Sequence, residues 1–186
     1  MEYRGCRTPR GFTLTELLTT LAVVAIVLSA GVPGFRDFIS DNRRTAQTNY
    51  MLSALARARS EAMRTARLVS VCPSTDGASC ADGDAGWQTG FIVFANDDGA
   101  NLGTVNAGDE IIEIYAALGG DFTLRASGPV TDFVAFRPTG VPVTGGEFAW
   151  CDSRGAGSGR AVIVRPSGSS SVSKRNAAGR TLSCTP

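Results

Sequence analysis

The chain has 186 residues, a net charge of +1, 43% hydrophobic and 19% charged residues. It is large enough to bury one core, too rich in aromatic and β-branched residues to be disordered, and too balanced overall to bind nucleic acid by net charge alone. It contains no histidine, which excludes Ser-His and Cys-His nucleophiles and removes the commonest metal ligand.

Residues 1–11, MEYRGCRTPRG, are short, carry Arg4, Arg7 and Arg10, and end in Gly11. An apolar run follows, with nineteen uncharged residues between Glu16 and Arg36. As a helix, Phe12 to Val32 extends roughly 31 Å, enough to span a bilayer core. Arginines before the run and none directly after it predict that the N-terminal side stays cytoplasmic and the rest is exported. A signal peptide or a plain membrane anchor would share this pattern. Neither accounts for Glu16, an acid one turn into the run, where an unpaired charge is costly.

Pro33 removes a backbone donor and predicts a kink or local melting. Helical spacing resumes from Phe35 to Leu68, through Tyr50, Met51, Leu55, Ala58 and Ala62. The half beyond Tyr50 is the more apolar and is expected to pack on the domain. The period then changes to that of strands. Runs at 68–72, 90–96, 110–117, 122–126, 132–138, 147–151 and 160–166, and a weaker one at 171–175, are separated by Gly, Pro, Asp and Asn clusters. One long helix followed by antiparallel strands predicts an α+β fold. The expected divisions are 1–11 (leader), 12–34 (membrane helix), 35–68 (amphipathic helix) and 69–186 (exported β-rich domain).

Charge is unevenly spread. From Leu68 to Leu124 there are nine acids and no bases; from Ser153 to Pro186 there are six bases and no acids. The folded domain is expected to be polarised. Arg160, Arg165, Lys174, Arg175 and Arg180 are candidate phosphate ligands for DNA. Their alternatives are a solvated face and a contact with a neighbouring subunit's acidic face. No aromatic residue follows Trp150, so this stretch cannot stack on bases.

Of five cysteines, Cys6 precedes the apolar run. Cys72, Cys80, Cys151 and Cys184 follow it, an even set that predicts two disulfides in an exported domain. Pairing of Cys72 with Cys80 and of Cys151 with Cys184 is the expected one of three connectivities. No CxxC spacing supports zinc, and Asp97, Asp98 and Asn101 read as turn residues rather than a calcium loop. No cofactor, metal or catalytic constellation is expected.

Gly11-Phe12-Thr13-Leu14-Thr15-Glu16 resembles the class III signal of type IV pilins and type II pseudopilins. The resemblance implies cleavage after Gly11 by a prepilin peptidase and N-methylation of Phe12. It also implies pairing of Glu16 with the Phe12 amine of a neighbouring subunit, which would set axial register in a helical filament. The likeness continues beyond the signal. Leu52-Ser53-Ala54-Leu55-Ala56-Arg57-Ala58-Arg59-Ser60-Glu61-Ala62, Val71-Cys72-Pro73-Ser74, Phe136-Arg137-Pro138-Thr139-Gly140 and Cys151-Asp152-Ser153-Arg154-Gly155 resemble the GspH/FimT-type family. That family implies an inner-membrane structural subunit with a periplasmic domain. It could be a minor pilin that primes pilus assembly, a DNA-binding minor pilin for uptake, or a minor pseudopilin of type II secretion. The Gly-Arg-x-Arg motif of DNA-binding members is incomplete here: aligned on Gly179-Arg180-Thr181-Leu182 it has Leu in place of the second Arg, and aligned on Gly168-Ser169-Ser170-Ser171 it has neither Arg.

Overall fold

The computed structural model describes residues 11–81, 86–97, 99, 101–119 and 122–184. The expected leader, 1–10, and Asp82, Asp84, Asp98 and Asp121 lie outside them. By compactness the chain divides into two units, Met1–Asn42 and Arg43–Pro186.

The first unit is helical. Helix α1 spans Leu14–Thr65, and its helical pattern runs through Pro33 without interruption. The local melting expected there does not occur, although Gly31 and Gly34 flank the proline: it removes one hydrogen bond, and the turns on either side stay helical. The described side chains from 11 to 38 are all exposed, Leu17, Leu21, Val24 and Ile26 among them. This part of the helix is long and apolar enough to cross a membrane.

In the second unit, α1 buries Met51, Ala54, Leu55, Ala58 and Ala62, a stripe at helical spacing whose alanines admit a close approach of the sheets. The helix stops at Ala66, which adopts a left-handed φ of 54°, and Leu68 opens the first strand. Eight strands follow: β1 Leu68–Pro73, β2 Phe91–Asn96, β3 Glu110–Tyr115, β4 Thr123–Ser127, β5 Val134–Phe136, β6 Gly146–Cys151, β7 Arg160–Val164 and β8 Ser170–Ser173. They form two four-stranded antiparallel sheets, ordered β3-β2-β1-β5 and β4-β6-β7-β8. The weaker run at the end of the sequence is thus a true edge strand, β8. The chain is α+β.

One core joins helix and sheets. Leu55 and Ala58 of α1, Val69 and Val71 of β1, Phe91 of β2, Phe136 of β5, and Phe148 and Trp150 of β6 belong to it. Trp87, in a single 3₁₀ turn before β2, meets Phe148 edge-on at 4.8 Å and donates its indole N–H to the Thr131 carbonyl at 2.8 Å. A large amphipathic ring therefore bridges the sheets with its one polar atom satisfied.

Two hairpins of one design close the domain beside α1. Arg137-Pro138-Thr139-Gly140 and Arg165-Pro166-Ser167-Gly168 each bond the glycine N–H to the arginine carbonyl, both at 2.8 Å. In each, the arginine N–H returns to the residue after the glycine, Val141 O or Ser169 O. The glycines take φ of 75° and 83°, the left-handed position that ends a three-residue hairpin. The two turns touch: a Cβ on Gly168 would lie 2.0 Å from the Gly140 carbonyl oxygen and 3.1 Å from Arg59 Nε.

Candidate assembly helix and C-terminal basic strap

At the start of α1, Thr13 Oγ1 accepts the Glu16 N–H at 3.3 Å, and Thr13 O accepts the Leu17 N–H. Thr-Leu-Thr-Glu thus caps the helix, with Glu16 at the third helical position, where an acid also favours the positive end of the macrodipole. Among the described residues no base pairs with the Glu16 carboxylate. Gly11 and Phe12 precede the helix and are exposed.

One buried ion pair fixes the helix to the second sheet, and another cluster is internal to the helix. Arg44, 2% exposed, donates from Nη1 to Asp152 Oδ2 at 3.2 Å. Arg154 adds Nη2 to the same oxygen at 2.7 Å and its backbone N–H to Asp152 Oδ1. Burial pushes the Asp152 carboxyl up, but the Arg154 hydrogen bonds and the Arg44 charge outweigh it and hold the carboxyl below its ordinary range. Glu61, 5% exposed, takes Arg64 at 2.6 Å and Arg57 at 3.2 Å. The Arg64 hydrogen bond, opposed by burial and aided by both charges, lowers its pKa.

The expected polarisation is reduced on the acidic side. Arg67, just past α1, pairs with Asp97, and Arg57 of α1 lies 3.8 Å from Glu113, so the segment before the 68–124 stretch supplies the bases that it lacks. Other acids in the stretch order turns. Asp109 accepts the Asp97 and Asn106 N–H groups, and Asp76 accepts those of Ala78 and Ser79, bonds that depress the Asp76 carboxyl strongly.

Disulfides join Cys72 to Cys80 and Cys151 to Cys184. The second anchors a strap, residues 174–184, over the sheet face that turns away from the core. The strap folds as a small hairpin, with Arg175 bridged to Thr181 and Asn176 N–H bonded to Arg180 O. Glu147 accepts the Ala177 N–H. Leu182, 4% exposed, packs on Ala149, Ala161 and Ile163 as a cluster separate from the main core. The residue that breaks the Gly-Arg-x-Arg pattern is therefore the strap's apolar anchor, a role that only its packing reveals.

The five candidate phosphate ligands do not form one cluster. Lys174, Arg175 and Arg180 are exposed on the strap. Arg165 is exposed at the far end of β7, about 16 Å along the strand from Arg160. Arg160 pairs in register with Trp150, whose ring is in the core. It therefore sits on the opposite sheet face to the strap, half-buried, and donates to the carbonyls of Ser158 and Gly159. Among the described residues none of the five pairs with a carboxylate.

Residues 47–168, the α1 segment and both sheets as far as the second glycine turn, match the family model for type II transport protein GspH. The chain belongs to the GspH family. Residues 6–32 match the prokaryotic N-terminal methylation motif, which takes in Gly11, Phe12 and Glu16. The fold is that of type IV minor pilin FimU from Pseudomonas aeruginosa PAO1. One crystal form is 19% identical, with 73% of this chain and 92% of that chain covered at a TM-score of 0.56. A second form is 20% identical over 69% and 91%, with a TM-score of 0.49. A comparison with curated proteins gave no match. In this GspH-family chain, β8 and the strap lie beyond the residues that the family model matches.

Proposed function

We propose that this GspH-family subunit is a minor pilin that primes assembly of a type IV pilus. It acts as a structural part rather than an enzyme. On this reading a prepilin peptidase removes residues 1–11 and methylates Phe12. The helix 12–34 holds the chain in the inner membrane with its N-terminus cytoplasmic and the domain periplasmic. It then transfers into the filament by packing against the helices of other pilins. The observation that carries the reading is the exposed apolar helix with a single acid, Glu16, at a fixed offset from Phe12. Membrane and filament core both cover such a surface, but only a second subunit's amine supplies Glu16 with a partner.

The test uses the full chain in its own host. Mass spectrometry is expected to find Phe12 as the methylated N-terminus. Gly11→Ala and Glu16→Ala are expected to abolish incorporation into pili. A retained leader, or normal pili from Glu16→Ala, sinks the proposal. Loss of protein secretion with intact pili in a deletion strain would instead assign the chain to a type II secretion pseudopilus.

A second reading is a DNA-binding minor pilin for uptake. It is favoured by Lys174, Arg175 and Arg180, which have no acid partner among the described residues and lie on a strap that the Cys151–Cys184 bridge holds in place.

A further inference from the structure

Strand β8 ends the second sheet, with β7 on one side and no strand on the other. Where the two strands begin, the Arg165 N–H bonds to the Ser169 carbonyl at 3.0 Å. Alternation along an antiparallel ladder then turns Ser171 and Ser173 toward β7 and leaves the N–H and C=O groups of Ser170 and Val172 pointing outward. Among the described residues nothing bonds to these outward groups. The side chains follow from the same register. Val172 lies opposite Val162 and Ser170 opposite Val164, and both β7 valines belong to the main core. Cross-strand partners share a face, so Ser170 and Val172, the latter 43% exposed, face the α1 side of the sheet and not the strap.

On that side, between α1 and the second glycine turn, lies a groove of about 500 Å³ lined by Leu52, Leu55, Arg59, Met63, Ser169 and Ser170 among others. None of its lining residues is acidic. Arg59 is seated against both glycine turns: a Cβ on either Gly140 or Gly168 would lie 3.1 Å from its Nε. That Nε is buried without a hydrogen-bond partner, and Nη2 reaches only the Ser167 carbonyl, at 3.5 Å. Among the described residues no carboxylate pairs with Arg59, whereas Arg57 and Arg64 of the same helix both bind Glu61.

A guanidinium held beside apolar surface with its donors almost unspent selects a carboxylate, which can take two parallel N–H···O bonds. A phosphate would satisfy the charge but gain nothing from Leu52, Leu55 and Met63, whereas a peptide gains from both. An exposed edge strand templates pairing with another chain, and a strand added to β8 would turn every second side chain toward the groove. We propose that β8 and this groove dock an extended segment of a different subunit, one that places a carboxylate on Arg59 and, two residues away, a large apolar side chain against Leu52 and Met63. The partner's main chain pairs with the outward groups of Ser170 and Val172. The acidic edge strand of a second copy, β3, does not suit, because Arg57 and Arg67 already face its Glu113 and Glu110. This inference rests on the assembly reading above, and a contact between unlike subunits suits a minor component.

The experiment uses the full chain in its native host, with photo-reactive benzoylphenylalanine in place of Ser170. A separate strain carries it in place of Val23 to report helix packing. After irradiation, mass spectrometry of the cross-linked peptides identifies the segment lying on β8. The expected adduct falls in another pilin subunit, in an extended segment with Asp or Glu two residues from a large apolar residue. Its yield should fall by roughly tenfold or more with Arg59→Gln. It should fall as far with Val172→Pro, which removes one outward N–H and no bond to β7. Arg59→Glu combined with exchange of the partner's acid for Arg should restore it. An adduct to a helix, to DNA or to a second copy of this chain overturns the proposal, as does a yield that Arg59→Gln and Val172→Pro leave unchanged. If Ser170 gives no adduct while Val23 does, the assembly reading stands and the docking groove falls; if neither does, both fall. Expression at wild-type level with both native disulfides intact verifies the fold of each variant. Where Arg59→Gln fails that check, Val172→Pro, at an exposed position, carries the test.

Discussion

Arg44 and Asp152, 108 residues apart in sequence, meet at 3.2 Å beneath the helix with both side chains almost wholly excluded from solvent. Such a pair is poor evidence of net stabilisation, since both ions lose their hydration, and loss of Arg44 leaves Asp152 with Arg154 as its remaining partner. Arg44→Ala is therefore expected to destabilise by less than the roughly 3–5 kcal/mol of a fully stranded buried charge. Arg44→Met with Asp152→Leu should cost much less than Arg44→Ala alone. Thermal unfolding of the three forms checks this; equal losses for single and double variants would contradict it.

The same carboxylate sets an acid limit. Its folded pKa lies below the unfolded value, so its contribution is fully present above the ordinary carboxylate range and fades as pH falls through the lower folded value. Glu61 and Asp76 shift in the same direction. The domain is expected to hold its melting temperature from neutral pH down to about 4 and to lose it steeply below that. Asp152→Asn should flatten part of this loss while lowering stability at neutral pH.

Tyr115 predicts an alkaline counterpart. Burial, with Glu113 nearby, pushes its hydroxyl up to about 12. Because the folded value is the higher one, stability is present below the ordinary tyrosine pKa and is lost as pH rises toward the folded value. Ultraviolet titration should show one late tyrosine, and Tyr115→Phe should remove it.

Two glycines with like backbone angles are expected to respond differently. At Gly168 an added Cβ would collide with the Gly140 carbonyl, whereas at Gly179 it would meet nothing within 4 Å. Gly179→Ala should cost only the left-handed strain, about 1–2 kcal/mol. Gly168→Ala adds a backbone collision that neither hairpin can relieve without parting from the other, and should reduce the yield of folded protein. Comparable melting temperatures for the two variants would refute the packing argument.

For nucleic acid, the strap makes a separable forecast. If DNA is bound, replacing Lys174, Arg175 and Arg180 with Ala should weaken it and reduce the salt slope by up to roughly three contacts. Arg160→Ala should do little, because that side chain lies on the other sheet face. Cys184→Ser, expected to cost about 2–4 kcal/mol, should also weaken binding by releasing the strap. Gel shifts across a salt series read all three. No retardation at low salt ends the DNA reading without touching the pilin one.

The local elements were legible because they are written locally. Short runs of apolar, β-branched and aromatic residues, punctuated by Gly, Pro, Asp and Asn, mark the strands from β1 to β7, and β2 and β5 are buried along their whole length. The Ser-rich β8 reads weakly because its four residues bury little. The division of the strands into two sheets was not legible, since pairing Val69 with Phe136 or Leu124 with Trp150 is a long-range choice made by the core. Of the candidate residues, Gly11, Phe12 and Glu16 stand out by their fixed spacing. The grouping of the C-terminal bases did not, because the sequence holds no sign that Arg160 lies on the core side of β7 while Leu182 holds the strap to the other side. Arg44, Asp152 and Leu182 were missed for the same reason: a polar or apolar side chain declares its partner only in three dimensions.

The meeting of the two glycine hairpins at Arg59 ties both sheets and the helix to one locus. Neither sheet can peel away while the other stays closed against α1, so the sheets have no separate melting events to report. Amide exchange in β1 and in β7 should then proceed through one shared opening reaction, with the same free energy and the same denaturant sensitivity, and only the strap should breathe on its own.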